Sequence, residues 1–125
     1  KRKEEAEIGH IRNVTFENIS CNSENGILIY GENERNISDI YFSNVALNLT
    51  KKTDWPKGTL DLRPCIGDGR FQNSVHALCA HNASHVEVSR FQVTVDENLK
   101  DSLGEIYEVV NCDALKISPL RELTE

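Results

Sequence analysis

Between residues 26 and 49, GILIYGENERNISDIYFSNVALNL, the apolar positions keep a fixed spacing. Ile37, Ile40, Phe42, Val45 and Leu47 are separated by two, one, two and one other residues. The same spacing returns as Ile11, Val14, Phe16, Ile19, Cys21 and as Ala83, Val86, Val88, Phe91, Val93. A decayed copy, Cys112, Leu115, Ile117, Leu120, fails at Glu122. The single-residue gaps put apolar side chains on one face of a strand. The two-residue step from Phe42 to Val45 breaks the alternation and predicts a bend. A further run fenced by glycines, Gly26-Ile27-Leu28-Ile29-Tyr30-Gly31, predicts a second strand in the same repeat. No room is left for a helix.

The copies begin at Ile11, Ile37, Ala83 and Cys112, so the steps are 26, 46 and 29 residues. The long step predicts an insertion between Thr50 and Ser74 of about one repeat. A unit this small buries its apolar side only by stacking on its neighbours. The expected fold is therefore all-β, a parallel β-helix of about four coils over 8–120. A charged lead-in precedes it at 1–7, the inserted loop occupies 50–74, and a tail follows at 121–125.

The residue before each copy is His10, Asn36, Asn82 or Asn111. Asn tolerates the left-handed conformation and bonds its own backbone, which suits a sharp corner. The column predicts an Asn ladder; the alternative is that Asn is common in turns. Five N-x-S/T sequons, at Asn13, Asn18, Asn36, Asn48 and Asn82, are read as products of the repeat rather than glycan sites. A leucine-rich repeat is the competing fold. It requires a buried Asn or Cys where this chain has Ile19, Val45, Phe91 and Leu120, and it does not call for the second strand.

Fourteen basic and twenty acidic side chains give a net charge of −6, which argues against a nucleic-acid partner. No segment is long and apolar enough to span a membrane, and the charged opening has no apolar run behind it. Of four cysteines, Cys21 and Cys112 occupy apolar columns and Cys79 sits in a strand-like run. They are expected to be reduced, buried residues, with Cys65 in the insertion undetermined.

The insertion carries the chemistry the repeats lack. It holds the only Trp, two of three prolines and, over 51–70, a charge of +2 against −8 elsewhere. Lys57, Arg63 and Arg70 form a basic lip that suits an anionic ligand, and Trp55 a platform for a sugar ring. The alternative is a solvated loop packing Trp55 and Leu62 on the flank. His76, His81 and His85 are spaced five and four apart on strands and a bend, which does not predict convergence. No metal site or cofactor is expected. Gly67-Asp68-Gly69 is a turn, with no Lys-Ser/Thr to make a phosphate loop.

The text Ile11-Arg12-Asn13-Val14-Thr15-Phe16-Glu17-Asn18-Ile19, with Asn25 to Gly31 and Ile37 to Val45, resembles family 28 glycoside hydrolases. These polygalacturonases and their relatives are right-handed parallel β-helices. Asp61-Leu62-Arg63-Pro64-Cys65 is similar to a segment near the C-terminal end of bacterial members. The resemblance covers about residues 8 to 120. It implies an inverting glycosidase acting on pectin, a metal-free reaction, a secreted or periplasmic location and a monomer at full length. The family's N-T-D, D-D, G-H-G and R-I-K motifs are absent; Gly9-His10 is followed by Ile11. No catalytic residue is therefore assigned, and the chain reads as a C-terminal portion. A non-catalytic β-helix that binds glycan or serves as a structural spike shares every repeat feature.

Overall fold

The computed structural model describes residues 9–32, 36–61, 70–72, 74–118 and 121–124. It is an all-β chain organised by parallel pairing. Three 13-residue strands, β1 (Ile11–Ser23), β3 (Ile37–Leu49) and β7 (Ala83–Val95), lie side by side. Their register is the one the spacing predicts: Ile11 faces Ile37 and Ile37 faces Ala83, and Val45 lies between Ile19 and Phe91. β9 (Asp113–Ile117) and β10 (Arg121–Thr124) both pair with β7. A second parallel sheet contains β2 (Ile27–Tyr30), β6 (Leu78–His81) and β8 (Tyr107–Val110). This strand takes the place of the helix or 3-10 segment that a leucine-rich repeat puts in each unit.

The bends are set by backbone conformation. Positive φ occurs at Asn18, Asn44 and Arg90, between the third and fourth apolar positions of each copy, as the two-residue step predicts. A matching column, Asn13, Asp39, His85 and Ala114, also has positive φ and bends each strand earlier. Asn and Asp accept this conformation at least cost.

The corner column is hydrogen-bonded from repeat to repeat, with one side-chain rung and two bonds to backbone carbonyls. Asn111 Nδ2 donates to Asn82 Oδ1 (2.7 Å), Asn82 Nδ2 to the Gly31 carbonyl (2.9 Å), and Asn36 Nδ2 to the Gly9 carbonyl (2.7 Å). Two further rungs, Asn44 to Asn18 (2.9 Å) and Asn48 to Asn22 (3.1 Å), run along the strands. Four sequon asparagines, Asn18, Asn36, Asn48 and Asn82, thus bond their amides within the fold.

The core lies between the two sheets, where β3, β6 and β7 supply nearly all the buried residues. Like stacks on like: the Phe16 and Phe42 rings lie 5.1 Å apart and nearly parallel. Among the described residues β1 is paired on one side only, by β3, and its side chains are correspondingly open. Ile11 is 54% exposed and Phe16 40%, while their partners Ile37 and Phe42 are buried. The apolar side chains of β1 and β3 line an open hollow of about 490 Å³. Cys21, expected in the core, is exposed for the same reason. Cys79 and Cys112 are buried and half-buried, and all three are free thiols. Cys65 is outside the described residues.

The insertion forms a small antiparallel pair, β4 (Thr59–Asp61) with β5 (Arg70–Gln72), while β3 pairs directly with β7 across it. Two stretches differ from expectation. Residues 121–124, read as a tail, continue in register with Gln92–Val95. The polar stretch after Val95 contains a 3-10 helix, Glu97–Ser102, capped by Asp96. Its Leu99 is fully buried, a single apolar residue that no periodicity marks. Among the described residues no helix is long and apolar enough to cross a membrane.

Candidate functional site

Outward residues at the ends of the three long strands line a polar groove of about 420 Å³. Asn22, Asn48 and Thr94 form one row of register partners, and Ser20, Ala46 and Gln92 the next. Thr50 and Asp96 close one end. The alternation that buries Val45, Leu47 and Leu49 turns these amides and hydroxyls to solvent. Such a lining donates and accepts hydrogen bonds in rows.

The insertion leaves the groove at Thr50, and Glu24 clamps its start. Glu24 Oε1 accepts from Lys51 Nζ (2.9 Å) and Thr53 Oγ1 (2.8 Å), and Oε2 from the backbone N–H of Lys52 (3.0 Å) and Thr53 (2.8 Å). Lys51 first, then Thr53 and the two N–H groups, hold the carboxyl at about 2 instead of 4.5, against the opposing effect of burial. A depressed carboxylate stabilises the fold above the unfolded value, and that contribution is lost as pH falls from about 4.5 through about 2. Glu24→Gln is therefore expected to flatten the pH dependence of the urea midpoint in that window. An unchanged acid limb would contradict the clamp.

Two of the four residues assigned to binding from sequence are placed by their side chains. Trp55 is 40% exposed, and its indole N–H donates to the Thr59 carbonyl (3.0 Å), which also accepts from Asn25 Nδ2 (3.0 Å). The polar edge of the ring is satisfied and its faces remain accessible. Lys57 Nζ donates to the Asn98 carbonyl (2.8 Å), tying the insertion to the 3-10 helix that starts beside Asp96 of the groove. Arg63 is outside the described residues. Arg70 lies in β5, and only its backbone is described. Lys51, one of the cations of the 51–70 stretch, is paired with Glu24.

A second polar cluster lies on the outward face of β3 and β7. His85 Nδ1 is 2.7 Å from Asp39 Oδ1, and its Nε2 is 3.6 Å from Glu87 Oε2. Tyr41 meets the His85 ring edge-on at 5.5 Å. Burial first, then Asp39 and Glu87, push the Tyr41 hydroxyl above its ordinary value. Of the three histidines, His85 is thus separate, whereas His76 and His81 both reach Glu108 on the second sheet. There, Cys79, His81 and Glu108 are residue types that could hold a metal. Sequence reading missed Glu108, although the 29-residue step that carries Ser84 to Asp113 also carries Cys79 to Glu108.

No protein-family model, curated protein or solved structure matches the chain.

Proposed function

We propose that the chain is part of a right-handed parallel β-helix of the polygalacturonase-like glycoside hydrolases, and that it binds pectic polysaccharide along the polar groove. The observation that carries this reading is the groove itself. Three strands in register, repeating at 26 and 46 residues, present rows of Asn, Ser, Thr and Gln beside a loop bearing Trp55 and Lys57. Trp55 stacks on a sugar ring, and Lys57 pairs with a uronate carboxylate. Arg63 and Arg70 belong to the same basic lip. Hydrolysis of galacturonosyl bonds is carried by Asp motifs that this sequence does not contain.

The single Trp makes the test direct. Oligogalacturonate is expected to change the fluorescence of Trp55 saturably, with an affinity that weakens as salt rises. Lys57→Ala should weaken it further at low salt. Equal response to a neutral glucan oligosaccharide, or none to either, would rule out the binding role.

A glycan-binding β-helix without catalysis is favoured by one observation. Among the described residues lining the groove, Asp96 is the sole carboxylate, and it caps the 3-10 helix. An inverting hydrolase needs two, roughly 6.5–9.5 Å apart. Release of reducing ends from polygalacturonate by the natural gene product separates the two readings.

A further inference from the structure

On the second sheet, Leu78 and Ala80 point into the core, so Cys79 and His81 share the opposite face of β6. Glu108 is the register partner of Cys79 on β8. Its Oε1 lies 2.8 Å from His81 Nε2 and 3.3 Å from Cys79 Sγ, and the three ligand atoms are all within 4.8 Å of one another.

His76 supplies an independent observation. It is only 8% exposed, and its Nδ1 faces the Glu105 carbonyl. A carbonyl only accepts, so Nδ1 carries a proton and the ring is oriented with Nε2 toward the sheet's polar face. That Nε2 lies 3.0 Å from Glu108 Oε2, yet it is buried and makes no hydrogen bond. A ring nitrogen and a carboxylate oxygen this close, without hydrogen-bond geometry, are satisfied by a shared cation beside them, a proton or a metal ion. The backbone carbonyl behind Nδ1 is the partner that commonly orients a ligating histidine.

We propose that Cys79, His81 and Glu108, with His76 at the second carboxylate oxygen, form a binding site for a borderline divalent cation of the Zn²⁺ class. Cys79, His81 and Glu108 supply three converging donors of the types zinc takes, sulfur, imidazole and carboxylate, and His76 adds a second imidazole through the other oxygen of Glu108. The metal cross-links β6 to β8, adjacent strands of the sheet behind the core. A cysteine ligates zinc as the thiolate, and the free Cys79 carries its proton. Coordination therefore forms a metal–sulfur bond and breaks the S–H bond, releasing one proton to solvent.

The chain, stripped with chelator, is titrated with Zn²⁺ by calorimetry in buffers of different ionisation enthalpy, and separately with Co²⁺ by absorption. Expected are one Zn²⁺ per chain, about one proton released, a rise in melting temperature, and a thiolate-to-cobalt charge-transfer band. The band should survive Cys21→Ser and vanish in Cys79→Ser. His81→Gln, a partly exposed position, should weaken Zn²⁺ by at least the roughly 10–100-fold that loss of an outer-shell partner typically costs. No stoichiometric binding by the parent chain, or binding that persists in both Cys79→Ser and His81→Gln, would overturn the site. If Cys79→Ser loses its cooperative melting, His81→Gln and the parent's own cobalt band decide the matter.

Discussion

Phe91→Ala is expected to lower the unfolding free energy by about 3–5 kcal/mol. Phe91 is 2% exposed, lies in register with Val45, and has the Tyr107 ring 6.1 Å away across the core. Its removal deletes a large buried side chain and leaves a cavity between two sheets that are fixed by their hydrogen-bond ladders, so the site cannot collapse. Phe16→Ala makes the comparison. Phe16 also occupies an apolar column and stacks on Phe42, but it lies on β1 and faces the open hollow. Its loss should cost about 1 kcal/mol or less. Urea unfolding of the two variants checks both values. Equal costs would mean that burial against β3 and β6 is not what holds β7 in place.

The same pair shows what the sequence could reveal. The spacing treats Phe16 and Phe91 alike, because a repeat pattern reports which face a side chain takes and not how many neighbours cover that face. Period-two alternation and its interruptions were enough for the long strands, their register and the bend at Asn44, since each is a local consequence of which side chains must be buried. The corner asparagines were legible for a similar reason: Asn82 and Asn111 have positive φ, which Asn tolerates better than most side chains, and Asn36 and Asn82 bond backbone carbonyls across the corner. Leu99 was not. One apolar residue in a polar stretch has no period, and its burial depends on the helix that Asp96 caps.

The candidate site divides the same way. Trp55 and Lys57 stood out by composition, but the Lys57 bond to Asn98 spans 41 residues and follows from where the insertion folds back. The histidines illustrate the opposite error. Spacing along one strand says little about convergence when the partner residue, Glu108, comes from the next repeat. Applying the 29-residue step to the second strand, and not only to the long one, would have set Glu108 against Cys79.

Gly26→Ala is expected to be comparably severe, through backbone approach rather than cavity. A Cβ at Gly26 would lie 1.8 Å from the His76 carbonyl oxygen and 2.5 Å from that of Ala77. Both are backbone atoms, so no side-chain rotation relieves the overlap. β2 must move away from β6, breaking the bond from Ile27 N–H to the Ala77 carbonyl (2.8 Å) and leaving buried backbone groups unpaired. Overpacking together with that lost bond puts the cost at roughly 3 kcal/mol or more. Gly104→Ala tests the reasoning. Its Cβ would crowd His76 Cε1, at 2.8 Å, and Ser74 Cβ, at 3.0 Å, neither of them a backbone atom of the facing strand. The ring can shift only by giving up its contact with the Glu105 carbonyl, so stability should fall by about 1–3 kcal/mol, less than for Gly26→Ala. The displaced imidazole should nevertheless weaken Zn²⁺ binding at the Cys79 cluster. A Gly26→Ala protein as stable as the parent in urea would show that β2 and β6 do not approach as closely as described. A Gly104→Ala protein with parental zinc affinity would place His76 outside the metal site.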